Sequence, residues 1–130
     1  MHKKLLIFDI ETVPDIEAGR RLLHLEDSVS DEDALAQFKQ YHLDITNGNN
    51  DFIRQPFHKI VAISFAECDI DYLSDGTETY YLNEIRSGGA IDATEAELVS
   101  GFFAKFAKIK PRLVSYNGKY FDLPVLKYRA

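Results

Sequence analysis

Cysteine is nearly absent. The chain has one, Cys68, which excludes an internal disulfide and any zinc site built on cysteines. Long apolar runs are missing too: none approaches the ~20 residues of a membrane helix. The four apolar residues between Lys4 and Asp9 also fall short of the ~7–15 of a secretory core, although basic residues precede them. A reduced, cytoplasmic setting is the expectation. Basic residues are in the minority, 15 against 21 acidic, for a formal net charge of −6. Proteins that grip long duplex DNA carry a basic footprint, because phosphate neutralisation supplies much of their affinity. The acidic balance speaks against that class. It speaks less against an enzyme that takes a strand end into a metal-filled cleft, where bound cations supply positive charge. Ser87-Gly88-Gly89 is too short for a phosphate loop and lacks the Lys-Ser/Thr that would follow one. His2, His24, His42 and His58 have no metal-ligand spacing and read as surface or core residues.

What is present is an ordinary globular composition, 45% hydrophobic and 28% charged over 130 residues, enough for one core. No repeat or linker interrupts it, so residues 1–130 read as a single domain. Residues 4–11 form a strand, apolar on both faces as a doubly covered strand would be, stopped by Thr12-Val13-Pro14-Asp15. A helix is expected over residues 31–43, with Ala34, Leu35, Phe38 and Tyr41/His42 at helical spacing. The acidic run ahead of it suits a solvated helix start. Asn47-Gly48-Asn49-Asn50 marks a loop. Strands follow at 59–68 and 78–82, joined by a hairpin at Asp75-Gly76. Thr94 and Glu97 make a capping box that opens a helix with Leu98, Phe102, Phe103, Phe106 and Ile109 as its core stripe, ended by Pro111. A strand over 112–116, a loop over 117–120 and a helix from Phe121 complete an α/β order, whose ligands should gather at the carboxyl ends of strands.

Two strand ends carry acids. Asp9 and Glu11, two apart on a strand, leave the same face with alpha carbons about 6.6 Å apart. Carboxylates so placed repel each other unless a cation intervenes, and oxygen-only donors suit Mg²⁺ or Mn²⁺ better than zinc. The pair could equally be a solvated acidic strand end. Asp122 falls where a loop becomes a helix. It could be a ligand, or merely a helix N-cap. A haloacid-dehalogenase-type phosphatase also opens on an apolar strand with Asp-x-Asp-x-Thr, but the second acid here is Glu11, one methylene too long.

Taken together, Phe8-Asp9-Ile10-Glu11-Thr12 and Asn117-Gly118-x-x-Phe121-Asp122 resemble the first two exonuclease motifs of family B DNA polymerases. With Gln55-Pro56-Phe57-His58 and the stretch 117–130, the chain more closely resembles the predicted stand-alone 3′–5′ exonucleases related to that domain. The resemblance implies an RNase H-like mixed sheet with flanking helices. It also implies two Mg²⁺ or Mn²⁺ ions, and hydrolysis from the 3′ end of single-stranded DNA or RNA. In that scheme Asp9 bridges both metals, Glu11 holds one, and Asp122 holds the second directly or through water. Ile10 and Thr12 would meet the terminal nucleotide, Asn117 would orient the strand, and Phe121 would stack on a base or else anchor the core. A fourth carboxylate belongs to a third motif that these 130 residues do not contain. The expectation is therefore a domain truncated at its C-terminus, which folds but hydrolyses poorly. The uncovered face would invite a homodimer. The alternative is a non-catalytic module that binds a nucleic-acid end or a protein.

Overall fold

The computed structural model describes residues 1–130. The elements run β1 (Lys4–Pro14), α1 (Ile16–Leu23), α2 (Asp31–Ile45), β2 (His58–Tyr72), β3 (Glu78–Ser87), α3 (Glu95–Ile109), β4 (Arg112–Val114) and α4 (Asp122–Arg129). The strands make one sheet in the order β3-β2-β1-β4. The β2–β3 pair is an antiparallel hairpin, and β1 pairs with β4 in parallel. This mixed sheet with its helices is consistent with the RNase H-like fold expected from the sequence. The chain divides into two compact units, Met1–Glu11 with Ile60–Ala130, and Thr12–Lys59.

In the first unit, alternation along β1 sends Leu6, Phe8 and Ile10 to one face. There they pack with Ile60 and Ile63 of β2, Leu98, Val99 and Phe102 of α3, and Val125 and Leu126 of α4. Each such side chain contributes about 1.5–3 kcal/mol when fully buried. The capping box holds as expected: the Thr94 hydroxyl accepts from the Glu97 N–H at 3.2 Å, and the Glu97 carboxylate accepts from the Thr94 N–H at 2.8 Å. Lys110, in the left-handed region at φ 45°, closes α3 ahead of Pro111. Phe103 and Phe106 do not join the core stripe and stand 39% and 37% exposed. For Phe103 the reason is angular, since it lies one residue, ~100°, round the helix from buried Phe102.

The opposite face of β1 corrects the doubly covered strand. Leu5 joins only a small cluster with Cys68, Ile70 and Tyr72, while Ile7 and its register partner Val114 are 41% and 42% exposed. Both α3 and α4 serve the other face. Across the open face Arg112 forks onto Glu78 at 2.7 and 2.9 Å, linking the two edge strands. Strand limits also differ from expectation. β1 runs on through Thr12, Val13 and Pro14, and a proline is tolerated at a strand's end. β2 and β3 extend past a register shift at Glu67/Cys68, and β4 stops at Val114.

The second unit contains α1, which the sequence reading did not anticipate. Asp15 caps it, accepting from the Ala18 N–H at 3.0 Å. A Cβ on Gly19 would lie 2.7 Å from the Phe38 ring, so α1 and α2 approach each other at that glycine. Ser30 caps α2, and Asp31, Glu32 and Asp33 are the solvated helix start expected of them. Phe38, His42 and Phe57 pack their rings edge to face at 4.9–5.9 Å. His42 and His58 are thus buried, while His2 and His24 are exposed.

Candidate functional site

Parallel neighbours deliver their carboxyl ends to the same sheet edge, and here those neighbours are β1 and β4. Asp9 and Glu11 stand on the face of β1 that also carries Ile7, both exposed. After Val114 the chain makes a tight loop before α4. Asn117 takes the left-handed conformation at φ 54°. Its carbonyl accepts the N–H groups of Tyr120 and Phe121 at 3.1 Å each, and that of Gly118 accepts from Leu123 at 2.8 Å. Any side chain at position 118 would collide with Ser115, since a Cβ there would fall 1.6 Å from the Ser115 hydroxyl. A side chain there would therefore force Ser115 to move, and the turn's backbone bonds lead directly into α4.

Asp122 is the first residue of α4, not its cap, a position occupied by Phe121 without any side-chain capping bond. The N-cap reading of Asp122 therefore gives way. Asp122 is 4% exposed, and the backbone N–H of Ile10 in β1 lies close enough to its carboxyl to pull the pKa down. Its Oδ2 is buried with no hydrogen-bond partner. Burial raises the Asp122 pKa above the ordinary carboxyl value, and the nearby charge of Asp9 and, less strongly, of Glu11 raises it further; the Ile10 N–H works the other way. The three acids thus share one electrostatic neighbourhood, in which burial first and then like charge disfavour the ionised form of Asp122. Their side chains do not close into a group of three ligands that could hold a metal ion.

The donor set is nevertheless chemically suited to a hard divalent cation. All the donors are carboxylate oxygens, and one is a buried orphan that such an ion would satisfy. A cation would also offset the repulsion from Asp9 and Glu11 that adds to the effect of burial on the Asp122 pKa.

The other expected contact residues are differently placed. Ile10 buries its side chain in the core, so only its backbone is near Asp122. Asn117 is exposed on the loop, and half-buried Phe121 packs against the core cluster. In the second unit, Thr12 Oγ1 lies 2.9 Å from His58 Nδ1, and His58 Nε2 lies 2.7 Å from the Ile53 carbonyl. A carbonyl can only accept, so Nε2 carries the proton and the Thr12 hydroxyl donates to Nδ1. No sequence spacing signals that link, which joins residues 46 positions apart. A cavity of about 470 Å³ opens elsewhere in the first unit, lined by Phe65, Arg86, Gly89, Leu98, Phe102 and Lys105 among others. None of the three acids lines it.

A family model described as a predicted 3′–5′ exonuclease related to the exonuclease domain of PolB matches residues 50–130. The matched stretch contains Asn117, Phe121 and Asp122; Asp9 and Glu11 precede it. No curated protein and no solved structure matches the chain.

Proposed function

Because the chain belongs to the predicted 3′–5′ exonucleases related to the exonuclease domain of PolB, we propose that it is a metal-dependent hydrolase acting on the 3′ end of single-stranded nucleic acid. Asp9, Glu11 and Asp122 would hold Mg²⁺ or Mn²⁺. The observation that carries this reading is Asp122: a buried carboxyl with an unpartnered Oδ2, raised in pKa by burial and by two neighbouring acids. Such a group is costly in a bare protein and becomes favourable when a cation joins it. Two bound ions supply activation of a water molecule and stabilisation of the leaving 3′ oxygen.

The chain's own residues then have separable tasks. Asp9 and Glu11 are exposed and offer their carboxylates from outside. Asp122 is buried and offers its unpartnered Oδ2 from within. Asn117 and Phe121 lie on the loop that leads to Asp122, and we assign the terminal nucleotide and its neighbour to these two residues and the Ile10 backbone.

The test is a nuclease assay on 3′-labelled single strands with Mg²⁺ or Mn²⁺ and with chelator. Release of mononucleotides that requires the metal, at whatever rate, and that Asp9→Ala abolishes supports the proposal. Metal-independent release, or release that survives Asp9→Ala, overturns it. So does a chain that neither binds Mn²⁺ nor releases nucleotides.

A further inference from the structure

α4 is poorly equipped to hold its own position. It has eight residues, against the ~12–15 below which an isolated helix is marginal in water. Phe121 gives it no side-chain cap, and its first residue is a buried carboxyl beside the charges of Asp9 and Glu11. Val125 and Leu126 bind it to the core, but apolar contact is non-directional and fixes neither tilt nor roll.

Backbone bonds from the 117–118 turn hold its start; the directional side-chain restraint lies at the far end. Arg129 Nε is 2.9 and 3.0 Å from the two Glu95 oxygens, and Arg129 Nη2 is 2.6 Å from Oε1. Both side chains are largely withdrawn from water, 18% and 16% exposed. A guanidinium fork on a carboxylate restrains angle as well as distance. Glu95 is itself fixed twice more. It is the first residue of α3, next to the Thr94 cap, and its Oε2 accepts the backbone N–H of Ile60 in β2. One carboxylate therefore joins the end of α4, the start of α3 and a central strand.

Asp122 and Arg129 are the two ends of one short rod, about 10 Å apart along the helix axis at ~1.5 Å per residue. A tilt permitted at Arg129 is a displacement at Asp122. We propose that the Glu95–Arg129 pair is a positioning device for Asp122, holding α4 so that the Asp122 carboxyl stays near the Ile10 backbone, Asp9 and Glu11. Its purpose, a site ready for a divalent cation, rests on the function proposed above. Neither residue touches the reacting atoms.

The Ile10 amide gives a readout that simple loss of stability does not move. In the folded chain, its proton shift reports the position of the neighbouring Asp122 carboxyl. Arg129→Lys and Glu95→Gln are mild enough to keep the fold, and Asp122→Ala calibrates full loss of that carboxyl. Both mild variants are expected to shift the Ile10 amide toward its position in Asp122→Ala, while amides at Leu6 and Phe8 stay in place. Unmoved Ile10 amides overturn the proposal. A shift in one mild variant without the other also overturns it, since the pair then does not act as a unit. A Mn²⁺ titration of the same proteins separates this inference from the reading it rests on. Both mild variants should bind Mn²⁺ at least fivefold more weakly, as should Asp122→Ala. If Ile10 moves in both but Asp122→Ala binds Mn²⁺ like the wild type, the positioning stands and the metal assignment to Asp122 fails.

Discussion

Asp122 condenses the argument to a single side chain. The sequence left it between a helix cap and a metal ligand. What separated the two was a shift of one position, Phe121 taking the cap and Asp122 the first turn, which local composition does not encode. Burial and the charges of Asp9 and Glu11 raise its pKa, so the ionised form is a liability wherever no cation is bound. Asp122→Asn should therefore stabilise the metal-free chain. The amide carries no charge, so neither burial nor the charges of Asp9 and Glu11 penalise it. At neutral pH with chelator present, thermal unfolding should move up by several degrees, on the order of 1 kcal/mol. An unchanged or lower Tm in chelator would mean that Asp122 is not under strain. Gly118 makes a second residue-scale claim. The sequence marks Asn117-Gly118 as a turn, but only the structure reveals the obstacle, Ser115 1.6 Å from where a Cβ would stand. Gly118→Ala should cost roughly 1–3 kcal/mol by overpacking the turn, read by denaturant unfolding. If the cost is a few tenths, the turn relaxes easily.

Among the elements, those with strong local signals were legible and those governed by coverage were not. The α3 capping box and the acidic start of α2 follow from a few adjacent residues, and so does the Asp75-Gly76 turn, with Gly76 at φ 85°. α1 was missed because it is eight residues long with a glycine in its interior. That glycine is there for the Phe38 ring, a long-range reason. β1 was read as covered on both faces because Leu5 and Ile7 are apolar. Apolarity shows which residues tolerate burial, not whether a partner layer is present, and α3 and α4 both lie on the other side. On the open face the two edge strands are joined by Arg112 and Glu78, with the Tyr80 hydroxyl donating to Glu78 at 2.6 Å. The Arg112 guanidinium, and then the Tyr80 hydroxyl, hold the Glu78 pKa down from 4.5 to about 2. A depressed carboxyl pKa means that the unfolded chain binds the proton more readily than the folded one. The contribution is therefore complete above pH 4.5 and is lost as pH falls toward about 2. Glu78→Gln should be less stable than the wild type at neutral pH, with the gap closing across that acid window. A gap that stays constant down to pH 2 would show that Glu78 acts through packing or neutral hydrogen bonds alone.

At the scale of the whole molecule, the acidic balance and the proposed substrate pull in opposite directions. A chain of net charge −6 repels a phosphate backbone, and Asp9, Glu11 and Asp122 would sharpen that repulsion at the proposed seat of the strand end. The ordinary route to nucleic-acid affinity, release of counterions by a basic surface, is weak in such a protein. On the proposed function the positive charge must be brought in, and Asp9, Glu11 and Asp122 would recruit it. That expectation needs only composition and charge counting, whereas the burial of Asp122 needs the folded chain. The consequence concerns binding, separately from cleavage. A labelled single-stranded oligonucleotide followed by fluorescence anisotropy should bind weakly in chelator at physiological salt. Affinity should rise about tenfold or more in millimolar Mg²⁺ when ionic strength is matched with NaCl. Matching removes the general screening of the protein's charge, leaving the ions held by the acids as the source of the gain. Replacing Asp9, Glu11 and Asp122 together by Asn, Gln and Asn should remove most of the Mg²⁺ dependence. It should also raise the affinity in chelator, because three negative charges have left the path of the strand. Should Mg²⁺ strengthen binding equally in the triple variant, the cations act on the oligonucleotide or elsewhere on the surface. The three acids would then have no claim to the strand end.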